Sequence, residues 1–262
     1  MTKHITTRSM ASAAALTASI CAGAFVSGTA QAAEAAKGWE AEASAGATLT
    51  SGNSKTFLGT IGVNAAKRWS QEEILVGASA GYGKNSKIEG QQTTDQYVKA
   101  YGQWNHLFSE KFYGGVRADG LYDKIADVDY RLTISPLAGY YLIKNSTTKL
   151  AVEAGPAVVF ERIGDTDRKY AGVRLGERFE HKFSNGAKVW QSVDWTEELI
   201  DFDDTGNHNY DNWVINAEVG ISAPVTKSLD VRLVAQDTFR RLPAPGRQQN
   251  DLRLIAGVGY RF

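Results

Sequence analysis

The sequence predicts an all-β chain: one closed antiparallel transmembrane β-barrel of about twelve strands, following a cleaved signal peptide. Three observations predict it. Apolar residues recur with a period of two almost throughout, the breaks between strands alternate between tight and loose, and aromatic residues gather near both sets of breaks.

The first 32 residues stand apart. Lys3 and Arg8 precede an apolar stretch from Met10 to Val26, and Ala30-Gln31-Ala32 offers a small-residue cleavage site. That places a signal peptide at 1–32 and one barrel at 33–262. The apolar stretch is short and Ala-rich for a retained membrane helix, and Ile20 before Cys21 spoils a lipoprotein site. Cys21 is the only cysteine, so the mature chain has no disulfide framework and no thiol chemistry. Removing Lys3 and Arg8 leaves 27 basic against 29 acidic residues, without the basic excess of a nucleic-acid binder. Roughly 230 mature residues suit one closed barrel.

The strands follow in order. "WEAEASAGATLT" places Trp39, Ala41, Ala43, Ala45, Ala47 and Leu49 on one face, with Glu40, Glu42, Ser44, Gly46 and Thr48 on the other. "LAVEAGPAVVFE" separates Leu150, Val152, Ala154, Pro156, Val158 and Phe160 from Ala151, Glu153, Gly155, Ala157, Val159 and Glu161. "NWVINAEVGIS" does the same with Trp213, Ile215, Ala217, Val219 and Ile221 against Asn216, Glu218, Gly220 and Ser222. In "SLDVRLVAQDTF", Leu229, Val231, Leu233 and Ala235 oppose Asp230, Arg232 and Gln236. The closing "DLRLIAGVGYRF" sets Leu252, Leu254, Ala256, Val258, Tyr260 and Phe262 against charges and glycines. One strand resists: in "YAGVRLGERFEHKF" the apolar set Ala171, Val173, Leu175 and Phe179 also contains Glu177, and either a bulge at Gly172 or Gly176, which would re-aim it, or a different register is open.

Tight breaks fall at Ser70-Gln71, Ser109-Glu110, Asn145–Thr147, Ser184–Gly186 and Val225–Ser228. Looser ones fall at Ser51–Lys55, Asn85–Thr93, Ala126–Val128, Gly164–Arg168, Asp203–Asn209 and Leu242–Gln249. Trp69, Trp104, Phe108, Phe112, Tyr140, Phe179 and Phe183 stand near the tight breaks; Phe57, Tyr82, Tyr122, Tyr130, Phe160, Phe202, Trp213 and Phe239 stand near the loose ones. Two aromatic belts enclosing an apolar band fit a bilayer with both interfaces marked. A soluble periplasmic β-sandwich that binds a ligand would alternate too, but would have no reason for belts or for alternating break lengths.

The inward face carries the candidate site: Arg117, Asp119, Arg131, Glu153, Arg174, Arg178, Glu180, Asp194, Glu198, Glu218, Asp230, Arg232, Asp251 and Arg253. Signs are mixed, and neighbouring strands offer opposite charges: Glu153 beside Arg174 or Arg178, and those beside Asp194 or Glu198. Twelve strands lie between side-chain-filled barrels and open porins. The pattern favours a mostly filled lumen, with a narrow, weakly selective channel as the other reading. Tyr260 and Phe262, at the end of the closing strand, resemble the terminal aromatic signal that outer-membrane assembly machinery reads.

No catalytic site emerges, and no cofactor is called for. His181 and Ser184 are three residues apart and so point to opposite faces of a strand, against a phospholipase. Asp127, Asp129 and His208 could meet over the lumen as in an omptin-like protease, although their spacing does not require it. A barrel enzyme acting on lipid or peptide is thus the alternative class. Asp201, Asp203 and Thr205 loosely echo a calcium loop, but Asn212 stands where a bidentate Glu belongs. A solvated acidic loop is the simpler reading.

"GATLTSGNSKTFLGTIGVNAAKRW", Gly46 to Trp69, resembles the opening of the YdiY-like family of salt-induced outer membrane proteins. The Thr50–Ser54 turn and the Lys67-Arg68-Trp69 strand end carry the likeness, and the layout to the terminal Tyr260-Arg261-Phe262 is similar over the mature chain. The resemblance implies a barrel of the Gram-negative outer membrane with a structural or envelope-stress role and no established catalytic residues. Its partners would be outer-membrane lipid, lipopolysaccharide and the barrel assembly machinery, the last because a terminal aromatic after alternating apolar residues resembles the signal that machinery reads. Oligomeric state is left open.

Overall fold

A computed structural model describes residues 38–50, 56–85, 93–202 and 212–262. The predicted signal peptide, Asp203, Thr205 and His208 lie outside the described residues. Twelve strands form: β1 (Trp39–Thr50), β2 (Thr56–Trp69), β3 (Glu72–Asn85), β4 (Thr93–Leu107), β5 (Phe112–Asp123), β6 (Val128–Lys144), β7 (Thr148–Ile163), β8 (Thr166–Lys182), β9 (Lys188–Asp201), β10 (Trp213–Pro224), β11 (Leu229–Arg240) and β12 (Asn250–Arg261). Each pairs antiparallel with its sequence neighbours, and β12 returns to β1 to close the ring. Closure satisfies the backbone of the edge strands, which lipid could not do.

The period of two explains the inside and the outside. Along β7, Ala151, Glu153, Ala157, Val159 and Glu161 are buried, whereas Val152, Ala154 and Pro156 are exposed. Pro136 and Pro156 lie on the exposed face of their strands. Ile61, Val63, Val98, Val116, Val219, Ile221 and Leu252 are large and exposed. An exterior of this kind is unfavourable in water and suited to hydrocarbon. Lys67 lies 5.8 Å from the rings of both Trp39 and Trp69, the amphipathic grouping expected where apolar band meets water.

Side chains fix the short turns. Ser109 Oγ accepts from the Phe112 N–H at 2.9 Å, and Asn145 Oδ1 accepts from the Thr147 N–H at 3.0 Å. Asn185 Oδ1 accepts from Ala187 at 3.0 Å, and Thr226 Oγ1 from Leu229 at 3.0 Å. Such local bonds let a chain reverse without leaving amides unsatisfied.

One expectation needs correction, and the register around Glu177 is settled. The break expected as a loose Gly164–Arg168 segment is a two-residue turn, Gly164-Asp165, with φ of 54° and 63°. Two successive left-handed residues make the turn whose twist matches a hairpin, and glycine and aspartate tolerate that region. Nor does a bulge in β8 turn Glu177 inward. β8 keeps unbroken register with β7, and Glu177 pairs with outward Val152. The irregularity lies in β9: Ala171 pairs with Ile200 and Gly172 with Glu198, leaving Leu199 as the extra residue. Glu177 therefore stays on the lipid side, where it accepts from Gln191 Nε2 at 3.2 Å.

Candidate functional site: the lumen

The inward residues form three crossings of the bore. At mid-height the centre is Glu153, 5% exposed. It accepts from Gln103 Nε2 at 2.7 Å, Tyr113 Oη at 2.8 Å and Arg174 Nη1 at 3.2 Å, and also from Arg178 Nη2. Arg174 continues to Asp194 through Nη2. Arg178 on β8 also donates to Gln103 on β4 at 2.9 Å, four strands round the ring. Arg117 donates to Asp119 from Nε at 2.8 Å and Nη2 at 2.7 Å, and to Gln103 at 3.2 Å. The buried carboxylate is thus matched by two guanidiniums and two neutral donors, the condition under which burying charge is tolerable.

Toward the loop edge, Arg253 on β12 reaches Asp95 on β4 at 3.0 Å and Asp123 on β5 at 3.4 Å, while holding Asp251 at 2.6 Å. A round ring of twelve strands spaced about 4.8 Å apart and tilted by about 40° would be roughly 24 Å across. That exceeds the joint reach of an arginine and an aspartate, so the ring is flattened here. Three aspartates share one arginine; Lys99 and Arg240 lie near enough to act on the same group of charges, giving three cations for three anions. Beside this group Arg131 meets Glu161 at 3.1 Å and Tyr170 Oη at 2.6 Å. Glu198, expected beside Arg174 or Arg178, instead takes Arg168 at 2.7 Å and Asn212 at 2.8 Å. Arg168 lies on the same wall, and the parity of β8 would have identified it.

At the short-turn edge Tyr141 on β6 donates to Glu73 on β3 at 2.8 Å, and Glu73 also faces Arg68 at 3.3 Å. Arg232 bridges Glu42 and Asp230, both at 2.7 Å. Lys188 lies 3.8 Å from Glu180 and 4.0 Å from Glu42. Glu218 accepts from Trp190 Nε1 at 2.7 Å and from Gln236 at 2.8 Å.

Large inward side chains lie along the wall where a neighbouring strand offers glycine. A Cβ at Gly81 would strike the Tyr97 ring, and one at Gly77 would strike Tyr101. On their lumen side these rings carry guanidiniums, Arg253 at 4.6 Å from Tyr97 and Arg117 at 4.7 Å from Tyr101. Glycine, ring and guanidinium stack from wall to bore, a cation–π arrangement in which the arginine's edge stays free for aspartate.

Weighed for catalysis, His181 Nδ1 pairs with Thr148 Oγ1 at 2.8 Å and its ring stands on Phe183 at 4.6 Å; on β8 it shares the outward parity of Phe179. Asp129 pairs with Arg162 at 3.3 Å. Asp201, from the candidate calcium loop, lies 4.0 Å from Arg168. Among the described residues no group of acidic and histidine side chains could hold a metal ion. Phe262, 50% exposed, donates its N–H to Ala41 O at 3.1 Å and meets the Tyr260 ring edge-on at 5.0 Å.

A closed twelve-strand ring with an apolar exterior and a polar, ion-paired interior defines the class: this chain has the architecture of an outer-membrane β-barrel. Over residues 43–262 it belongs to DUF481, a family of proteins of unknown function. No curated protein matches it. Among solved structures it is similar to the NanC porin, with 8% identity and a TM-score of 0.51 over 84% of this chain and 100% of that one. It is also similar to the KdgM porin, with 10% identity and a TM-score of 0.44 over 85% and 99%. A third is the outer membrane channel DcaP of Acinetobacter baumannii, with 8% identity and a TM-score of 0.41 over 86% and 96%. At these identities the likeness concerns the fold.

Proposed function

We propose that the chain is a non-catalytic structural barrel of the Gram-negative outer membrane whose lumen is closed by transverse ion pairs, leaving at most a narrow, weakly selective path for small solutes. The observation that carries this is the contact of Arg253 with Asp95 and Asp123 across the outer bore. An open pore keeps such charges apart on the wall, hydrated and facing the stream. Here they meet, and each pair lies across the route a solute would take.

Purified barrel in a planar bilayer should conduct poorly, with little preference between cations and anions. Replacing Arg174 and Arg178 with Ser should raise conductance and shift preference toward cations, because Glu153 and Asp194 then lose their partners. Large steady currents from the unmodified protein would refute the closed reading and favour a porin.

The envelope-stress part of the proposal rests on the resemblance to the YdiY-like salt-induced proteins alone. Transcript levels before and after a sodium chloride step test it, and an unchanged level would remove it. Lipopolysaccharide and the assembly machinery are the proposed partners, supported by the apolar exterior and by the Tyr260–Phe262 end.

A further inference from the structure

The exterior of β8 to β11 differs from the rest of the ring. On the other eight strands, the outward charged residues Lys67, Glu72, Lys84 and Arg162 stand within two residues of a strand end. On β8 to β11 carboxylates lie further in. Glu177 pairs with Val193, Val193 with Ala217, and Ala217 with Asp237, so two acids share one outward row across four strands. Glu197, paired with outward Val173 and Trp213, is a third.

Carboxylates turned toward hydrocarbon are unfavourable, and three in one sector with none deep in the others is not a random scatter. The same sector carries donors beside these acids. Gln191 Nε2 lies 3.2 Å from Glu177, and Trp195 shares the outward parity of Val193 on β9. A patch holding both acceptors and donors can satisfy itself across a two-fold axis, the requirement for an isologous contact. Ala217, in the middle of the row, is small enough to let two such faces approach.

We propose that this face packs against the same face of a second copy of the chain. The dimer axis runs along the membrane normal near Ala217, and Gln191 and Trp195 of each protomer donate to the acids of the other. The proposal rests on the membrane reading above but not on whether the lumen conducts.

Single cysteines test it in a Cys21→Ser background, by oxidation of membranes containing the folded, heat-modifiable barrel. Ala217→Cys should yield a disulfide-linked species of twice the chain mass. Ala100→Cys, outward on β4 at the opposite side of the ring, should not. Adding Glu177→Leu and Asp237→Leu to the first variant should cut its cross-linked fraction about tenfold. The proposal falls if Ala217→Cys stays monomeric in a folded barrel, if both cysteines cross-link alike, or if the disulfide partner is another protein. It also falls if the leucine pair leaves cross-linking unchanged while raising the barrel's resistance to heat, the outcome for acids facing lipid. A chain that remains soluble and shows no heat-modifiable mobility would remove the membrane reading and this dimer together.

Discussion

Arg253 and Asp123 stand on strands five steps apart round a ring of twelve, yet their side chains meet at 3.4 Å. No property of either strand alone predicts that contact. It follows from closure, which turns residues far apart along the sheet into neighbours across a bore, and it makes the filling of the lumen part of what holds the ring in shape.

Val219 and Glu218 test which side is which. Val219 is exposed on the outer face, and Arg at mid-bilayer on that face costs about 2–4 kcal/mol. Glu218 faces Trp190 and Gln236 inside, so Glu218→Gln should cost about 1 kcal/mol or less. Urea titration of lipid-refolded barrel should rank Val219→Arg well below Glu218→Gln. Equal losses would mean that β10 is read on the wrong face.

Glu153 is the test of the central network. Glu153→Ala strands Arg174 and Arg178 without their shared acceptor, and breaking a buried ion pair on one side costs about 3–5 kcal/mol. Removing both arginines as well should recover part of that loss. The same titration checks it, and the proposed hub is refuted if the triple variant is no more stable than Glu153→Ala.

Gly81 and Tyr97 should behave as one unit. A side chain at Gly81 pushes the Tyr97 ring off the wall and disturbs Arg253 above it. Gly81→Val should lose about 1–3 kcal/mol, as overpacking does. In a Tyr97→Ala background the same change should be much milder, and a double-mutant cycle measures the coupling. Additive losses would show that glycine is there for some other reason.

Phe262 is expected to matter more for assembly than for the finished barrel. Its ring is half exposed, and only its N–H joins the ladder, through Ala41 O. Deleting it should reduce the amount of barrel inserted in cells several-fold while barely changing the urea midpoint of refolded protein. Normal insertion of the truncated chain would remove the aromatic end from any role in closure.

The sequence carried much of the fold because parity is set locally. Each side chain in β7 takes its face from the pleat, and the alternation from Leu150 to Glu161 states which face is which. Alternation likewise places Glu177 outward, where it lies; the nearby interruption, at Leu199, belongs to β9 and leaves the parity of β8 unchanged. Turn tightness was misjudged at Gly164-Asp165 because polar residues continue beyond it into the strand. Inward direction was readable for Glu198, but its partner was not, since direction does not specify reach: Arg168 lies nearer than Arg174 or Arg178. The glycine beds under Tyr97 and Tyr101 had a signal in Gly77 and Gly81, alternating with apolar residues on one strand, but their use depends on a register that only the folded sheet supplies.

The β1–β12 ladder runs from Glu42–Arg261 to Ala47–Ala256, six residue pairs, against twelve between β1 and β2. Above it, the Thr48 hydroxyl bonds to the Leu254 carbonyl. Resistance to parting is therefore uneven round the circumference: among the described residues this junction joins fewer residue pairs than any other, and local opening follows the weakest cooperative unit. A ring has no natural beginning, but this one has a door. Thermal breathing will concentrate there, and a detergent tail or another chain's strand that intrudes into the sheet will find its entrance between the first strand and the last.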